Sequence, residues 1–535
     1  MRSFGLLLLL GLLFSACGGP GGSGGRERPV DRATAEGILL RGNGNDPDTL
    51  DPHLATTVNA GNILHNLFEG LTRFHPVSLK PEPAMAERWE VSADGLMVTF
   101  HLREARWSNG DPVTADDFVF AWRRMLHPAL AANAAYMLFD LEHAREIHEG
   151  TMPDTALGVT AVDARTLRLH LVRPVPYLPS LLAHWAWYPL HEASLRALGA
   201  ERDRTVLWTL PETMVVNGPF TLTAWQPGRD LRIEKNPLYW EADTVALQGA
   251  VFIPFADVET EERAFRGGEI HLTYGFPLGR LRHYREEQPE VLRVDPYLQS
   301  NGWLVNLERP GLSDVRVRRA MAMAVDREVI NRVVLGDLRG PAFSFVPPGR
   351  PLIREDVAAA RRLLAEAGYP DGEGLPEFEV LIHTARDWVR VAEVLQEQWA
   401  QIGVRVQINS MERSSYFARR SARRFDLCFL GWVGDYPEPE TFLDLFRSDA
   451  GNNFTGWADE AYDRLLDAAA LPGAERDGLL NEAEDRLMQA MPVIPIAFGS
   501  TQYLLDPRVQ NWHANLLNHH PLRVVRLGSA EVETP

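Results

Sequence analysis

Apolar residues recur along this chain with two periods, and segments of the two kinds follow one another from end to end. Val98, Phe100 and Leu102 alternate with polar neighbours, the pattern of a strand with one buried face. Asn109-Gly110 and Pro112 then turn the chain, and Thr114 with Asp117 three residues on predicts a capped helix start. Leu167, Leu169 and Leu171 alternate with Arg168 and His170, and this strand stops at the proline-rich stretch 173–179. Farther on, Val391, Val394, Leu395, Trp399 and Ile402 share one helical face that ends at Gly403, and residues 404–409 alternate as a strand. Interleaved strands and helices predict an α/β protein. No internal repeat or long linker appears after Gly25.

A different pattern precedes these elements. Residues 1–17 carry one positive charge, Arg2, then an apolar run from Phe4 to Phe14 and small residues before Cys17. The run is too short to span a bilayer comfortably. The segment resembles a bacterial lipoprotein signal with Phe14–Cys17 as the lipobox, which implies cleavage before Cys17 and acylation of its thiol. Gly18–Gly25 reads as a flexible tether. It contains a chance G-x-S-x-G, but a nucleophile elbow needs a strand before it and a helix after it. With Cys17 acylated, Cys428 has no disulfide partner, and its apolar surroundings predict a buried core residue.

Length and charge narrow the function. The chain has 535 residues, too many for one ordinary core, so two or three domains are expected. Its formal charge of −18 argues against a nucleic-acid partner and against broad adhesion to anionic lipid. There is no H-E-x-x-H, P-loop, dinucleotide motif or zinc-spaced cysteine pair. His143 and His148 read as solvated helix surface, and His519 with His520 stand in a C-terminal loop without a third ligand. The acidic stretch 257–269 reads as a charged, exposed helix. No catalytic residue, metal or cofactor is expected.

One stretch invites a binding role. Gly431, Trp432, Asp435 and Tyr436 set a carboxylate among aromatic rings and glycines, with two prolines behind. Asp435 reads either as a turn or cap residue before the helical Thr441–Phe446, or as a fixed anion in an aromatic-walled cleft awaiting a cation.

Several ordered segments resemble one family, the solute-binding lipoproteins of oligopeptide ABC importers. They are Leu50–His53, Asn66–Leu71, Ala86–Phe118, Val216–Trp240, Asp314–Glu328, Leu363–Gly372 and Gly431–Phe446. The resemblance implies a two-lobed periplasmic-binding-protein fold with a hinge and an additional domain. Its expected boundaries are a signal peptide at 1–16, a tether at 17–37, a discontinuous first lobe at 38–68, 196–298 and 501–528, the additional domain at 69–195, and the second lobe at 299–500. It also implies a monomer on the periplasmic or extracytoplasmic face, lipid-anchored, that hands oligopeptides to permease subunits. Asp435, beside Trp432, would meet the peptide α-ammonium, and Ala55, Thr56, Thr57 and Val58 with Ser300, Asn301, Gly302 and Trp303 would pair with its backbone. The family often has an arginine where Phe429 stands, for which Arg420 is a candidate substitute, and a cysteine pair where Gln299 and Val433 stand. A same-family receptor for murein peptide or another nonpeptide solute is the alternative, and an exported hydrolase a remoter one.

The anchor is testable at once. Cys17→Ala should abolish palmitate labelling and move the protein to the soluble envelope fraction while leaving ligand binding unchanged. Continued labelling of the variant would refute acylation at Cys17.

Overall fold

The computed structural model describes residues 27–384 and 386–528, so Cys17 and the glycine-rich stretch lie outside it. The first described element corrects the expected tether. Residues Pro29–Glu36 form a helix that opens on a proline, buries Val30 and Ala33, and closes on Gly37 in the left-handed conformation (φ 71°). Asp31 bonds Arg508 at 2.8 Å and fixes this helix to the C-terminal segment.

Three sheets of four or five strands organise the rest of the described residues, beside two two-stranded ones. Strand Ile38–Gly42 runs parallel to Gly249–Ile253, which continues antiparallel through Asp230–Lys235 to Phe220–Gln226. A second four-stranded sheet is antiparallel, in the order Ala86–Val91, Met97–Leu102, Thr166–His170, Val159–Asp163. Its alternation is the one read from Val98, Phe100, Leu102, Leu167 and Leu169, all buried. The third sheet has five strands in the order Val406–Met411, Phe378–His383, Leu427–Val433, Leu292–Val305, Val493–Leu504.

Local signals account for the helices. Helix Ala115–Leu126 starts with the expected capping box between Thr114 and Asp117, and the Asp117 carboxylate also accepts the Trp107 indole N–H at 3.1 Å. Helix Arg386–Ala400 buries Val391, Leu395 and Trp399, and the chain leaves it through Gly403 at φ 78°. The acidic stretch corrects the expectation of full exposure. Val258–Arg266 is a helix, but Glu261 and Glu262 are buried. Glu261 accepts the Tyr274 N–H at 2.7 Å and Glu262 the Tyr284 hydroxyl at 2.6 Å, partners that make burial tolerable. Burial still pushes Glu261 up to about 7.

The apolar residues form two main cores. One continues from the first sheet into the second, and the other surrounds the five-stranded sheet. Cys428 lies wholly inside the latter, where burial pushes its thiol up to about 12. The first core is crossed by a buried ion pair between Leu50–His53 and helix Ala115–Leu126. Arg124 donates two bonds to Asp51, at 2.6 and 3.1 Å, and a third to the Ala200 carbonyl at 3.3 Å. Asp51 also accepts from the Trp208 indole at 3.0 Å. Both side chains are almost free of water.

Removing one partner strands the other charge in the core. Asp51→Ala should therefore cost roughly 3–5 kcal/mol in chemical denaturation. A loss below about 1 kcal/mol would show that Arg124 finds water or another partner.

Candidate functional site

Pairing decides which backbone is available to a ligand. Strand Leu292–Val305 is bonded on one side to Leu427–Val433 and on the other to Val493–Leu504. Ser300, Asn301, Gly302 and Trp303 each have register partners on both sides, and all four are buried. Their expected role as a peptide-pairing segment is therefore corrected, because their main-chain positions already belong to the sheet interior. Gln299 and Val433, the positions matched to a cysteine pair, do stand opposite each other.

The open edge lies one strand over. Leu427–Val433 pairs with Phe378–His383 only at Leu427 and Cys428, so from Phe429 onward its outer side has no neighbouring strand among those described. The Gly434 N–H donates to the Leu298 carbonyl at 2.8 Å. By alternation Trp432 faces the same inner strand, and Gly431 and Val433 turn their N–H and C=O groups outward. The Tyr416 hydroxyl donates to the outward carbonyl of Phe429 and closes the edge there. Gly431 is exposed, leaving close approach to the backbone unobstructed.

Asp435 follows this edge directly. Its backbone N–H donates to the Thr441 hydroxyl at 3.1 Å, and the Trp432 indole donates to the Thr441 carbonyl at 2.8 Å. These two bonds fix the turn. The carboxylate itself has no hydrogen-bond or ion-pair partner among the described residues. Water reaches it, but cleft walls displace much of the bulk solvent and push it up to about 6.

Two cavities meet at Asp435. The larger, about 500 Å³, also has Trp432, Tyr436, Tyr136, Asp140 and Arg173 in its walls. Across it the Tyr136 hydroxyl is pushed up to about 12, by the walls first and then by the charge of Asp435. The smaller, about 360 Å³, joins Asp435 to Thr56, Val58, His65, His184, Trp185 and His519. Carboxylates nearby differ from Asp435 in being paired: Asp140 with Arg173 at 2.9 Å, Asp444 with Arg447 at 2.7 Å, and Glu440 with Arg476 at 2.7 Å.

Other expected site residues divide. Tyr436 borders the larger cavity but is buried, its ring stacked on Tyr177 at 4.8 Å. Thr56 and Val58 reach the smaller cavity, whereas Ala55 is buried. The N–H groups of Ala55 and Thr56 are committed to the Asp51 carbonyl at 2.9 Å and to Asp48 at 2.9 Å, and Thr57 caps helix Val58–Leu67. Arg420 borders neither cavity; its guanidinium lies over the rings of Phe417 and Phe454 at 4.7 and 5.1 Å. Phe429 fills the place matched to an arginine and packs against Trp303, Trp388 and His383. Sequence reasoning missed Tyr136, His65, His184 and Trp185, and saw His519 only beside His520 without a third ligand; apart from the adjacent His184 and Trp185, these residues come from separate segments and share no motif. Among the described residues no group of three or more His, Cys, Asp or Glu side chains is placed to hold a metal ion.

Known proteins share this sequence pattern and this fold. The model of the bacterial extracellular solute-binding proteins, family 5, matches residues 80–454. The chain is 34% identical over 493 residues to the periplasmic oligopeptide-binding protein OppA of Salmonella typhimurium, an alignment covering 88% of this chain and 89% of that one. The unliganded open form of the periplasmic murein tripeptide binding protein MppA superposes with a TM-score of 0.83 at 29% identity, covering 92% of this chain and 97% of that one. Haemophilus influenzae OppA in complex with RPPGFSPFR gives 0.70 at 30% identity, covering 92% and 99%. The chain belongs to the bacterial extracellular solute-binding proteins of family 5.

Proposed function

We propose that this protein is the substrate-binding component of an ABC importer, capturing oligopeptides in the cleft beside Asp435 and delivering them to the membrane permease. One observation carries the reading: an unpaired carboxylate stands at the end of a strand whose outer edge is open. A peptide has the complementary parts whatever its sequence. Its α-ammonium meets Asp435, and its main chain adds as a further strand along Gly431 and Val433. The amino end is thus the anchored one, while Arg420 and Phe429 give no support to an arginine-held carboxylate near this edge.

Organisation and location follow from the same role. The boundaries expected from the sequence, 38–68 with 196–298 and 501–528, 69–195, and 299–500, are kept, with the second core moving against the first when peptide binds. Both crossings, at 298–299 and 500–501, fall inside the long paired strands Leu292–Val305 and Val493–Leu504, whose register shifts between Tyr297 and Ser300. An irregular two-strand connection of this kind suits a hinge. Acylation of Cys17 holds the protein at the extracytoplasmic face, where it works as a monomer.

The pH dependence follows in sign. A peptide α-amine titrates near 7.7–8.0, so it stays charged below neutrality. The binding species of Asp435 is the carboxylate, half formed at about pH 6, predominant by pH 7 and lost as pH falls through 6. Affinity should therefore be flat from pH 7 to 6.5 and fall by up to about tenfold per unit below 6. Asp435→Asn removes the ammonium partner, at a cost of roughly 2–5 kcal/mol, about thirtyfold to several-thousandfold in Kd. It should also flatten the pH profile and leave thermal stability unchanged or higher. N-acetylation of the peptide should weaken wild-type binding, and C-terminal amidation should matter much less. Calorimetry with matched peptides checks all of this; harmless acetylation with costly amidation would reverse the polarity.

Closure gives a second test. The radius of gyration from small-angle scattering should fall on saturation with an unblocked tetra-alanine peptide. An unchanged profile at demonstrated saturation would mean a rigid receptor.

A further inference from the structure

The smaller cavity at Asp435 has walls unlike the larger one. Phe74, His65, His184, Trp185, His519 and Tyr297 surround it with rings. His65 meets Trp185 edge-on at 5.4 Å and His519 edge-on at 4.4 Å, and His519 meets Phe74 edge-on at 6.1 Å. Such a herringbone is the packing aromatic rings prefer, and it leaves ring faces and edges for one more ring to join.

The imidazoles are uncharged near neutral pH. Burial holds His65 down to about 4 and His184 down to about 3, and puts His519 well below the usual histidine range. The His184 Nδ1 accepts the Ala186 N–H at 3.2 Å, so the proton of the neutral ring is on Nε2. The His65 Nδ1 pairs with the Tyr188 hydroxyl at 2.7 Å. Among the described residues Asp435 is the sole acidic side chain in this wall, and its charge is reserved for the ammonium. Neither a second cation nor an anion has a dedicated partner there.

We propose that this cavity is a specificity pocket for an aromatic side chain at one of the first two positions of the bound peptide. The inference rests on the reading of Asp435 as the ammonium site, which puts the start of the peptide at the cavity mouth. A volume of about 360 Å³ exceeds the roughly 150 Å³ that accommodates a benzene ring, so phenylalanine, tyrosine or tryptophan fits with water to spare. Successive side chains of an extended peptide point to opposite faces, so only one of the two positions can enter. The walls come from both sides of the cleft: Val433, Gly434 and Asp435 on one side, with helix Val58–Leu67, His184–Trp185 and Leu517–His519 on the other. Closure around peptide would therefore tighten the pocket on the ring.

The test is a positional scan by calorimetry at pH 7 on the full mature protein. Tetra-alanine is compared with the four peptides carrying a single phenylalanine, and with lysine and glutamate at positions one and two. Phenylalanine should tighten binding about tenfold or more at one of the first two positions, with no comparable gain from lysine or glutamate. Leu517→Trp fills the pocket from a half-buried loop position, and should bring the phenylalanine-to-alanine affinity ratio at that position close to one. The ratio is taken within one protein, so a general loss of affinity cancels, and the wild-type scan stands if the variant does not fold. Equal affinities for alanine and phenylalanine at both positions, a larger gain from lysine or glutamate, or a gain that survives Leu517→Trp would overturn the pocket and leave the peptide function intact. Failure of every peptide to bind, tetra-alanine included, would instead overturn the function itself and the pocket with it.

Discussion

The double pairing of strand Leu292–Val305 is the constraint from which the site follows. Main-chain groups satisfied on both sides cannot serve a ligand, so the backbone left open belongs to the next strand, whose pairing with Phe378–His383 stops at Cys428. The same pairing sets the position of the charge. Because Gly434 is bonded to Leu298, the chain is still in register when it turns, and Asp435 emerges at the end of the open edge. Trp432 and Thr441 then lock the turn, so the carboxylate is held by backbone and indole contacts rather than by a counterion.

Two aspartates show how pairing divides structure from function. Asp51 is buried, but Arg124, Trp208 and the His53 N–H satisfy it, and the cluster joins the early chain to the helix of the next sheet. Asp435 is reached by water and has none of these partners, and its carboxyl is raised as a result. A satisfied charge in the core is fixed in its geometry and has little left to offer a ligand. An unsatisfied one in a cleft keeps an electrostatic penalty that an incoming cation relieves, which favours binding without a new conformational cost at the carboxylate.

Local features were legible in the sequence because their causes are local. The Thr114–Asp117 box, the Val98–Leu102 alternation and the helical face through Val391, Leu395 and Trp399 depend on residues close in the chain. Asp435 was legible as a candidate because aromatic and turn residues surround it in sequence. Ser300–Trp303 was misread because its neighbours, Phe429–Trp432 and Ile494–Phe498, are far along the chain, and no residue type announces an internal strand with two partners. Glu261 and Glu262 looked solvated for the same reason: Tyr274 and Tyr284, which make their burial tolerable, come after the helix. The helix at Pro29–Glu36 depends on Arg508, almost at the other end of the chain.

The histidines carry that lesson into specificity. His65, His184 and His519 are each uninformative alone, and His519 beside His520 suggested only an incomplete metal site. Brought together, they form neutral walls rather than ligands, because a cavity that strips water from three imidazoles disfavours their charged forms together. The contrast with Asp435 at the same mouth is then chemical as well as spatial. On the proposed reading a charge would meet the part every peptide shares, and uncharged rings would meet the part that varies. Such a division lets affinity rest on the ammonium and main chain, while a pocket of this size adjusts it by the modest increments that apolar contact supplies. A receptor built this way would accept many peptides and still rank them.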